Sequence, residues 1–202
     1  MRLLVATRSA GKQPEFRRML ERAGHEVVFP DDLAIGELPE EGTLESADSF
    51  EGNARRKAEY FQRKGGLPTL ADDSGLEVLS LGGAPGVRSK RWAGATGTAA
   101  EIDAANNAEL LRRLRGAPAV KRSARYRCVL VLISTVNAVP QVFEGSVAGR
   151  MLEEPRGMNG FGYDPFFWSA ELGKTFGEAT AEEKDRVSHR GRALAELIGV
   201  LR

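Results

Sequence analysis

The stretch Leu70-Ala71-Asp72-Asp73-Ser74-Gly75-Leu76 decides the fold, because an apolar run ends there on two adjacent carboxylates followed by Ser-Gly. This pattern predicts a buried strand that ends in a turn, where an acid is held in place and stays accessible. Neighbouring side chains on a strand point to opposite faces, so Asp72 and Asp73 are not a paired-acid dyad. We take Asp73 as the candidate chemical centre, with ordinary turn chemistry at Asp-Ser-Gly as the competing interpretation.

The composition predicts one globular domain over residues 1–202, with 42% hydrophobic residues to build its core. The 29 basic and 28 acidic residues nearly cancel, so no overall charge attracts nucleic acid or a membrane surface. The single cysteine, Cys128, lies in an apolar run and cannot form an intramolecular disulfide. No apolar run reaches membrane-spanning length. We therefore expect a cytoplasmic protein.

The first loop, Thr7-Arg8-Ser9-Ala10-Gly11-Lys12, follows an apolar run at residues 3–6 and precedes apolar residues at helical spacing. A strand, loop and helix in this order direct backbone N–H groups at an anion, and three side chains of the loop add donors. The loop is a candidate phosphate cradle; a capped helix with a solvated lysine is the alternative. It is not a Walker A loop, because Gln13 stands where that motif has Ser or Thr.

Periodicity predicts an α/β fold with a mixed sheet. Two consecutive strands joined by a three-residue turn indicate an antiparallel pair beside the earlier strand and helix units. Further strands are predicted at residues 25–29, 124–135 and 140–150, and helices at residues 49–64, 99–114 and 192–201. Between the second strand and the first of these helices lies an acidic, turn-rich segment that contains Glu40 and Glu41.

Two later segments carry further candidate binding residues. Glycines surround Phe161 and Tyr163 in Gly160-Phe-Gly-Tyr-Asp164, so we expect these rings to form an exposed platform that stacks on a nucleobase rather than packing in the core. Ser188-His189-Arg190 lies at a predicted break between two helices, where donors of His189 and Arg190 are free to read a carbonyl. A structural role is the usual one for a lone histidine.

Together these features describe a nucleotide site with a divalent metal ion. Asp73, with Glu40 or Glu41, supplies carboxylates; without clustered His or Cys, such a site suits Mg²⁺ or Mn²⁺ and disfavours zinc. No Ser-His-Asp or Cys-His constellation is apparent, which favours attack by an activated water over a covalent intermediate.

Six sequence blocks, in order, carry a resemblance that covers nearly the whole chain. The blocks are residues 6–12 with Glu15, Asn53-Ala54 with Lys57-Ala58, residues 71–76, residues 82–86, residues 160–165, and Glu183-Lys184 with residues 188–191. The sequence resembles the inosine triphosphatase family, nucleoside-triphosphate pyrophosphatases that remove non-standard purine nucleotides such as ITP, dITP and XTP.

The resemblance implies an elongated α/β fold, with a long mixed central β-sheet flanked by helices, two lobes around a nucleotide cleft, and a homodimer. It also implies an enzyme that cleanses the nucleotide pool by Mg²⁺-dependent hydrolysis of ITP, dITP and XTP to the nucleoside monophosphate and pyrophosphate. Mn²⁺ is a possible substitute for Mg²⁺.

By motif, the resemblance implies that Asp73 is the proton acceptor and a metal ligand, with Glu40 or Glu41 as the second acid. It assigns substrate contacts to Thr7, Arg8, Ser9, Ala10, Gly11, Lys12, Ser74, Phe161, Gly162, Tyr163, Asp164, Lys184, His189 and Arg190. Ser9 stands where the family commonly has Asn, and residues 44–48 stretch the family pattern, which leaves the choice between Glu40 and Glu41 open.

Two alternatives stay open. One is a related pyrophosphatase that prefers other modified nucleotides, or dTTP and UTP. The other is a non-catalytic nucleotide-binding or RNA-binding module that uses the basic run at residues 112–127. That run lacks interleaved aromatic residues, which disfavours a nucleic-acid partner.

Overall fold

Seven strands and five α-helices are present in the computed structural model, which describes residues 1–201. The strands are β1 (Arg2–Val5), β2 (Glu26–Val28), β3 (Thr69–Val78), β4 (Ser123–Ile133), β5 (Gln141–Met151), β6 (Phe167–Ser169) and β7 (Lys174–Thr175). The helices are α1 (Gln13–Arg22), α2 (Phe50–Gly65), α3 (Ala99–Arg113), α4 (Ala181–Val187) and α5 (His189–Val200). Short 3₁₀ turns join several of these elements.

The strands form a single sheet in the order β2-β1-β3-β4-β5-β6-β7. β1 pairs in parallel with both β2 and β3, whereas β6 pairs antiparallel with both β5 and β7. The sheet is therefore mixed, which confirms the predicted α/β fold class. No helix among residues 1–201 is both long enough and apolar enough to cross a membrane.

The predicted turn at Ser74-Gly75 is wrong, because β3 continues through both residues to Val78. The reason lies just beyond Ser-Gly, where Leu76 and Val78 are fully buried and resume the apolar pattern. Asp72 and Asp73 thus lie in the middle of a ten-residue strand and not at its tip. Their backbones are held on a rigid element.

The described residues form two compact units. The first unit comprises residues 1–73, 128–145 and 190–201, and contains two buried apolar clusters around Leu3 and Leu4. Cys128 is fully buried there, as predicted, and burial raises the pKa of its thiol to about 12. The second unit comprises residues 74–127 and 146–189, with one cluster that includes Leu76, Val147 and Phe167.

Local signals explain where the helices begin and end. Ser49 caps α2 by accepting a hydrogen bond from the Gly52 N–H at 3.1 Å, and Thr98 and Thr180 start α3 and α4 with capping boxes. α2 ends at Gly66, which adopts φ +64° and donates its N–H to the Gln62 carbonyl at 2.9 Å. These caps fix where α2, α3 and α4 begin and where α2 ends.

Replacing Gly66 with alanine tests this helix end. A Cβ there would meet nothing within 4 Å, so the cost comes only from the left-handed backbone, about 1–2 kcal/mol of unfolding free energy. Urea denaturation measures it. Gly36→Ala is the matched control, because Gly36 is equally open without a positive φ, and equal stability of the two variants would contradict this account.

Candidate active site

The first loop of the chain connects β1 to α1 and closes as a tight turn. The Lys12 and Gln13 N–H groups donate to the Ser9 carbonyl at 3.0 and 3.1 Å, and the Gln13 amide donates to the Thr7 carbonyl at 3.2 Å. The Thr7 hydroxyl accepts a hydrogen bond from the Ser9 N–H at 3.2 Å. Lys12 occupies the N-cap position of α1 without a side-chain cap. The positive end of the helix dipole therefore lies at this loop.

Asp72 binds two cations that come from opposite ends of the chain. Its Oδ2 lies 2.8 Å from Lys12 Nζ and 3.1 Å from Arg190 Nη2, and Arg190 also forms an ion pair with the buried Glu15. Burial opposes ionisation of Asp72, but the charges of Lys12, Arg190 and Lys57 prevail and hold its pKa well below the usual value. Asp72 is therefore a carboxylate that anchors the lysine of the first loop.

Asp73, its neighbour on β3, lies in a different environment. The Asn53 amide on α2 donates to Asp73 Oδ2 at 2.8 Å. Burial raises the pKa of the Asp73 carboxyl above its ordinary value, and repulsion from Glu45 adds to this, while Lys57, Lys12 and the Asn53 hydrogen bond act in the opposite direction. A carboxylate with a raised pKa is a better proton acceptor near neutral pH.

Glu45 and Lys57 complete the surroundings of Asp73. Lys57 Nζ lies 2.6 Å from Glu45 Oε1. Burial acts against the charge of Lys57, but Glu45, Asp72 and Asp73 together raise its pKa. Attraction to Lys57 outweighs burial at Glu45 and lowers its pKa. This part of the molecule therefore combines three carboxylates with the cations Lys12 and Lys57.

Glu40 and Glu41, the predicted second acids, bind other side chains. Glu41 forms a two-bond ion pair with Arg8, at 2.8 and 2.9 Å, and Glu40 accepts a hydrogen bond from Tyr60 at 3.2 Å. Arg8 also pairs with Asp31 and donates to the Ile35 carbonyl at 2.9 Å. Glu40 and Glu41 therefore help to hold the acidic segment in place. Arg8, which was assigned to substrate binding, does the same.

Glu45, Asn53 and Lys57 were not predicted as functional residues. Asn53 and Lys57 belong to one of the recognised sequence blocks, and their spacing of four residues places them on one face of α2. Glu45 lies in the stretched segment before that helix. The Asn53 side chain holds this segment against α2, because its Oδ1 accepts a hydrogen bond from the Ala47 N–H at 2.8 Å.

The donor set near Asp73 can be compared with the needs of a metal ion. No group of three or more His, Cys, Asp or Glu side chains within residues 1–201 is arranged to hold one. Mg²⁺ needs no such cage, because it is commonly bound by one or two carboxylates together with water and substrate phosphates. The repulsion between Asp73 and Glu45 is what a bound cation relieves. These two residues therefore fit a hard divalent ion.

In the second unit, Tyr163 is a core residue, so the prediction that it belongs to an exposed aromatic platform is wrong. Its side chain is buried in the apolar cluster of this unit, and its hydroxyl donates to the Ser89 carbonyl at 2.9 Å. Burial, together with the nearby charge of Asp103, raises its pKa. Phe161 is partly exposed, which leaves it as the aromatic residue of this loop that can meet a ligand.

Asp164 and Lys184 support Phe161. Asp164 Oδ2 accepts hydrogen bonds from Lys184 Nζ at 2.6 Å and from the Phe161 N–H at 2.9 Å. The Lys184 ammonium lies 4.8 Å from the centre of the Phe161 ring. A Cβ on Gly160, which has φ +75°, would lie 2.1 Å from Asp164 Oδ2, so this turn requires glycine. Asp164 therefore shapes the loop.

A break separates the last two helices at Ser188, but His189 and Arg190 do not lie in it as predicted, because α5 already begins at His189, and their donors are not free. His189 is buried and stacks on Tyr126 with ring centres 4.6 Å apart. Arg190, in the first unit, is almost fully buried and bonds to Glu15 and Asp72. The expectation that Arg190 presents unused donors is wrong, because two carboxylates of the protein already bind it.

The basic run at residues 112–127 is largely paired within its own unit. Arg112 and Arg113 both bond to Glu109, and Arg125 pairs with Glu77. Arg122 is buried and donates to the carbonyl of Leu114 at 2.9 Å.

Ser74, which the sequence blocks assign to substrate binding, is a partly exposed residue of β3.

The fold and this site define a class: an α/β protein with a mixed sheet, in which a loop at a helix N-terminus and buried carboxylates suit a highly charged ligand. The chain belongs to the Ham1 family, whose profile matches residues 3–200. This membership confirms the resemblance seen in the sequence blocks.

Individual relatives agree with this assignment. A dITP/XTP pyrophosphatase from Syntrophobacter fumaroxidans is 48% identical over 199 residues, which cover 96% of this chain and 79% of that protein. The structure of a HAM1 protein from Coxiella burnetii matches with a TM-score of 0.84 and 34% identity, over 100% of this chain and 98% of the other. A nucleoside-triphosphatase / dITP/XTP pyrophosphatase from Mycobacterium abscessus has a TM-score of 0.72 and 43% identity, over 98% of both chains.

Asp72→Asn tests the charge network at the centre of the site. The change keeps the shape of the side chain but removes the charge that Lys12 and Arg190 share, which should cost about 3–5 kcal/mol of unfolding free energy. Denaturant unfolding measures it. Glu26→Gln, which breaks the exposed ion pair with Arg2, is the control and should cost about 1 kcal/mol or less. Similar losses in the two variants would show that Asp72 is not the anchor.

Proposed function

We propose that the protein hydrolyses non-standard purine nucleoside triphosphates, namely ITP, dITP and XTP, to the nucleoside monophosphate and pyrophosphate in a Mg²⁺-dependent reaction. The observation that carries the proposal is the pair of adjacent buried carboxylates on β3, one anchoring Lys12 and the other held by Asn53 with a raised pKa. The names of the relatives support the same activity for this chain.

Binding of the triphosphate is assigned to the first loop and its lysine. A triphosphate resists attack by water because its oxygens carry negative charge that repels a nucleophile and must be neutralised as the bond breaks. Lys12, held at the start of α1 by Asp72, supplies a positive charge, and the helix N-terminus supplies backbone N–H groups. Lys57 adds a second cation on the side of Asp73.

Asp73 is the proposed proton acceptor for the attacking water. Its burial favours uptake of a proton, and the Asn53 hydrogen bond fixes which oxygen faces the helix. Asp72 is unsuited to this role, because its two cationic partners favour its charged form. Two neighbouring carboxylates are thus given different roles by their surroundings.

Asp73 and Glu45 are the residues proposed to hold Mg²⁺. When bound there, the ion would draw negative charge from the phosphate oxygens and help to orient the triphosphate. Lys57 Nζ lies 2.6 Å from Glu45 Oε1, so a cation stands beside this proposed metal ligand and would add to the positive charge that meets the phosphate oxygens. This replaces the expectation that Glu40 or Glu41 is the second acid.

Base recognition is assigned to the loop that carries Phe161. A purine stacked on an aromatic ring gains about 1–3 kcal/mol. The six-keto oxygen of hypoxanthine or xanthine accepts hydrogen bonds, so donors such as the Lys184 ammonium and backbone N–H groups suit these bases. Adenine presents a six-amino donor instead, and a donor facing a donor leaves both unpaired, which favours its rejection.

A substrate panel tests the proposed function. The protein is incubated with ITP, XTP, dITP, GTP, ATP and dTTP in the presence of Mg²⁺, and the products are separated. We expect monophosphate and pyrophosphate from the first three substrates and little turnover of ATP. Diphosphate and phosphate as the main products would refute the proposed reaction, and preferential turnover of dTTP would favour the related pyrophosphatase.

Asp73→Asn is expected to lower turnover by about 10²–10⁴, the range for loss of a general base, while folding and nucleotide binding are retained. The reason is that the amide keeps an oxygen for the Asn53 hydrogen bond but accepts no proton. Steady-state kinetics with ITP and circular dichroism measure the two effects. The control is Asp48→Asn at an exposed position, and wild-type turnover in Asp73→Asn would exclude the assignment.

Glu45→Gln tests whether Glu45, rather than Glu40 or Glu41, is the second carboxylate that binds the metal ion. We expect it to raise the Mg²⁺ concentration needed for half-maximal activity by about 10-fold or more, because one of two carboxylate donors is lost. Glu41→Gln, which removes a partner of Arg8, should leave that concentration unchanged. Chelation with EDTA should abolish activity in the wild type. If Glu41→Gln raises this Mg²⁺ concentration and Glu45→Gln does not, the metal ligand is Glu41 and not Glu45.

The proposal extends to assembly and location. Homodimerisation follows from the family resemblance, and light scattering coupled to size-exclusion chromatography tests it. A cytoplasmic location agrees with a single, buried Cys128. The RNA-binding alternative requires exposed cations, and the pairing of Arg112, Arg113 and Arg125 within the protein argues against it.

A further inference from the structure

We propose that Asp103 and Asn107 on α3 are positioning residues that hold residues 160–164, here called the base loop, in the conformation that presents Phe161. Neither residue has been assigned a role in the site described above. The inference rests on the proposed function, because it names the groups that order the loop to which base recognition is assigned there. All the contacts that support it lie within the second unit.

Both backbone polar groups of Gly162 are bound by α3. The Gly162 N–H donates to Asp103 Oδ2 at 3.0 Å, and the Asn107 Nδ2 donates to the Gly162 carbonyl at 3.0 Å. Residues four apart on a helix lie on the same face, so one surface of α3 supplies both the acceptor and the donor. Gly162 has φ +62° and no side chain that could fix it by packing. The two hydrogen bonds are therefore what hold it.

Asp103 is itself fixed from a second direction. Its Oδ1 lies 2.9 Å from Lys90 Nζ, and the adjacent Ser89 carbonyl accepts the hydrogen bond from the Tyr163 hydroxyl. The loop is thus tied to α3 through Gly162 and to the 89–90 segment through Tyr163. Asn107 Oδ1 is buried with no hydrogen-bond partner among the described residues, so the amide acts at this position as a donor to Gly162.

These contacts matter because they hold the glycine between Phe161 and Tyr163, in addition to the contacts that Tyr163 and Asp164 make. Gly160 and Gly162 both have positive φ, and glycine has more conformations to lose than any other residue. If the loop were disordered before binding, the entropy lost in ordering it would offset part of the stacking energy at Phe161 and weaken binding. The hydrogen bonds from α3 remove this cost in advance. Their loss should weaken binding of the base while leaving the chemistry at Asp73 unchanged.

The test uses three variants of the full chain. Asp103→Ala removes the acceptor for the Gly162 N–H, and Asn107→Asp replaces the donor with a charged oxygen that repels the Gly162 carbonyl. Asp103→Asn keeps an oxygen acceptor and serves as the conservative rescue. Glu109→Gln is the matched control, because it removes one charge from α3 at a residue that bonds to Arg112 and Arg113 and not to the base loop.

Values of kcat and KM for ITP with Mg²⁺, and the inhibition constant of IMP, are measured for each variant. We expect Asp103→Ala and Asn107→Asp to raise both KM and the IMP inhibition constant about 10-fold, with kcat within about twofold of the wild type. Asp103→Asn should recover most of the loss. Glu109→Gln should behave as the wild type does.

Wild-type KM and IMP inhibition in Asp103→Ala would overturn the inference, as would a fall in kcat without a change in KM. Asp103 is partly exposed, so its alanine variant decides the question even if Asn107→Asp does not fold. Failure of the proposed function is a separate outcome, because it is seen in the wild type as an absence of pyrophosphate release from ITP, dITP and XTP.

Discussion

The buried carboxylate of Asp72 is the constraint on which the charged site depends, because two cations from distant parts of the chain meet on one of its oxygens. Lys12 follows the first strand and Arg190 lies in the first turn of the last helix, and both lie within 3.1 Å of Asp72 Oδ2. A buried charge is costly unless it is paired, so the three groups are stable only together. Because Asp72 lies within β3, the backbone pairing of the sheet fixes where both cations can lie.

Asp73 shows how the same strand supports a second, different environment. Alternation along β3 separates it from the Asp72 ion pairs and directs it to Asn53 on α2. Its pKa is raised where that of Asp72 is lowered, although the two residues are adjacent. A long strand therefore holds an anchoring carboxylate and a candidate proton acceptor in one rigid frame, without any shared proton between them.

In the second unit, contacts with the surrounding residues keep a glycine-rich loop ordered. Tyr163 enters the core, Asp164 binds the Phe161 N–H and Lys184, and α3 binds both backbone groups of Gly162. The glycines allow backbone conformations that other residues resist, and the hydrogen bonds select one of them. Of the two aromatic residues flanked by glycine, only Phe161 stays partly exposed, because Tyr163 has a carbonyl partner for its hydroxyl inside the unit.

Sequence alone determined the elements and the family. The helices and most strands follow from periodicity and from caps such as Ser49 and Thr180, which act within a few residues, and the ordered blocks identified the relatives. The tertiary structure decided which charged groups meet. Arg190 and Glu15 are 175 residues apart, the charge of Glu45 acts on Asp73 while Glu40 and Glu41 bind Tyr60 and Arg8, and β3 continues past Ser74 because Leu76 and Val78 are buried. No local pattern encodes such pairings, since they depend on how distant segments pack together.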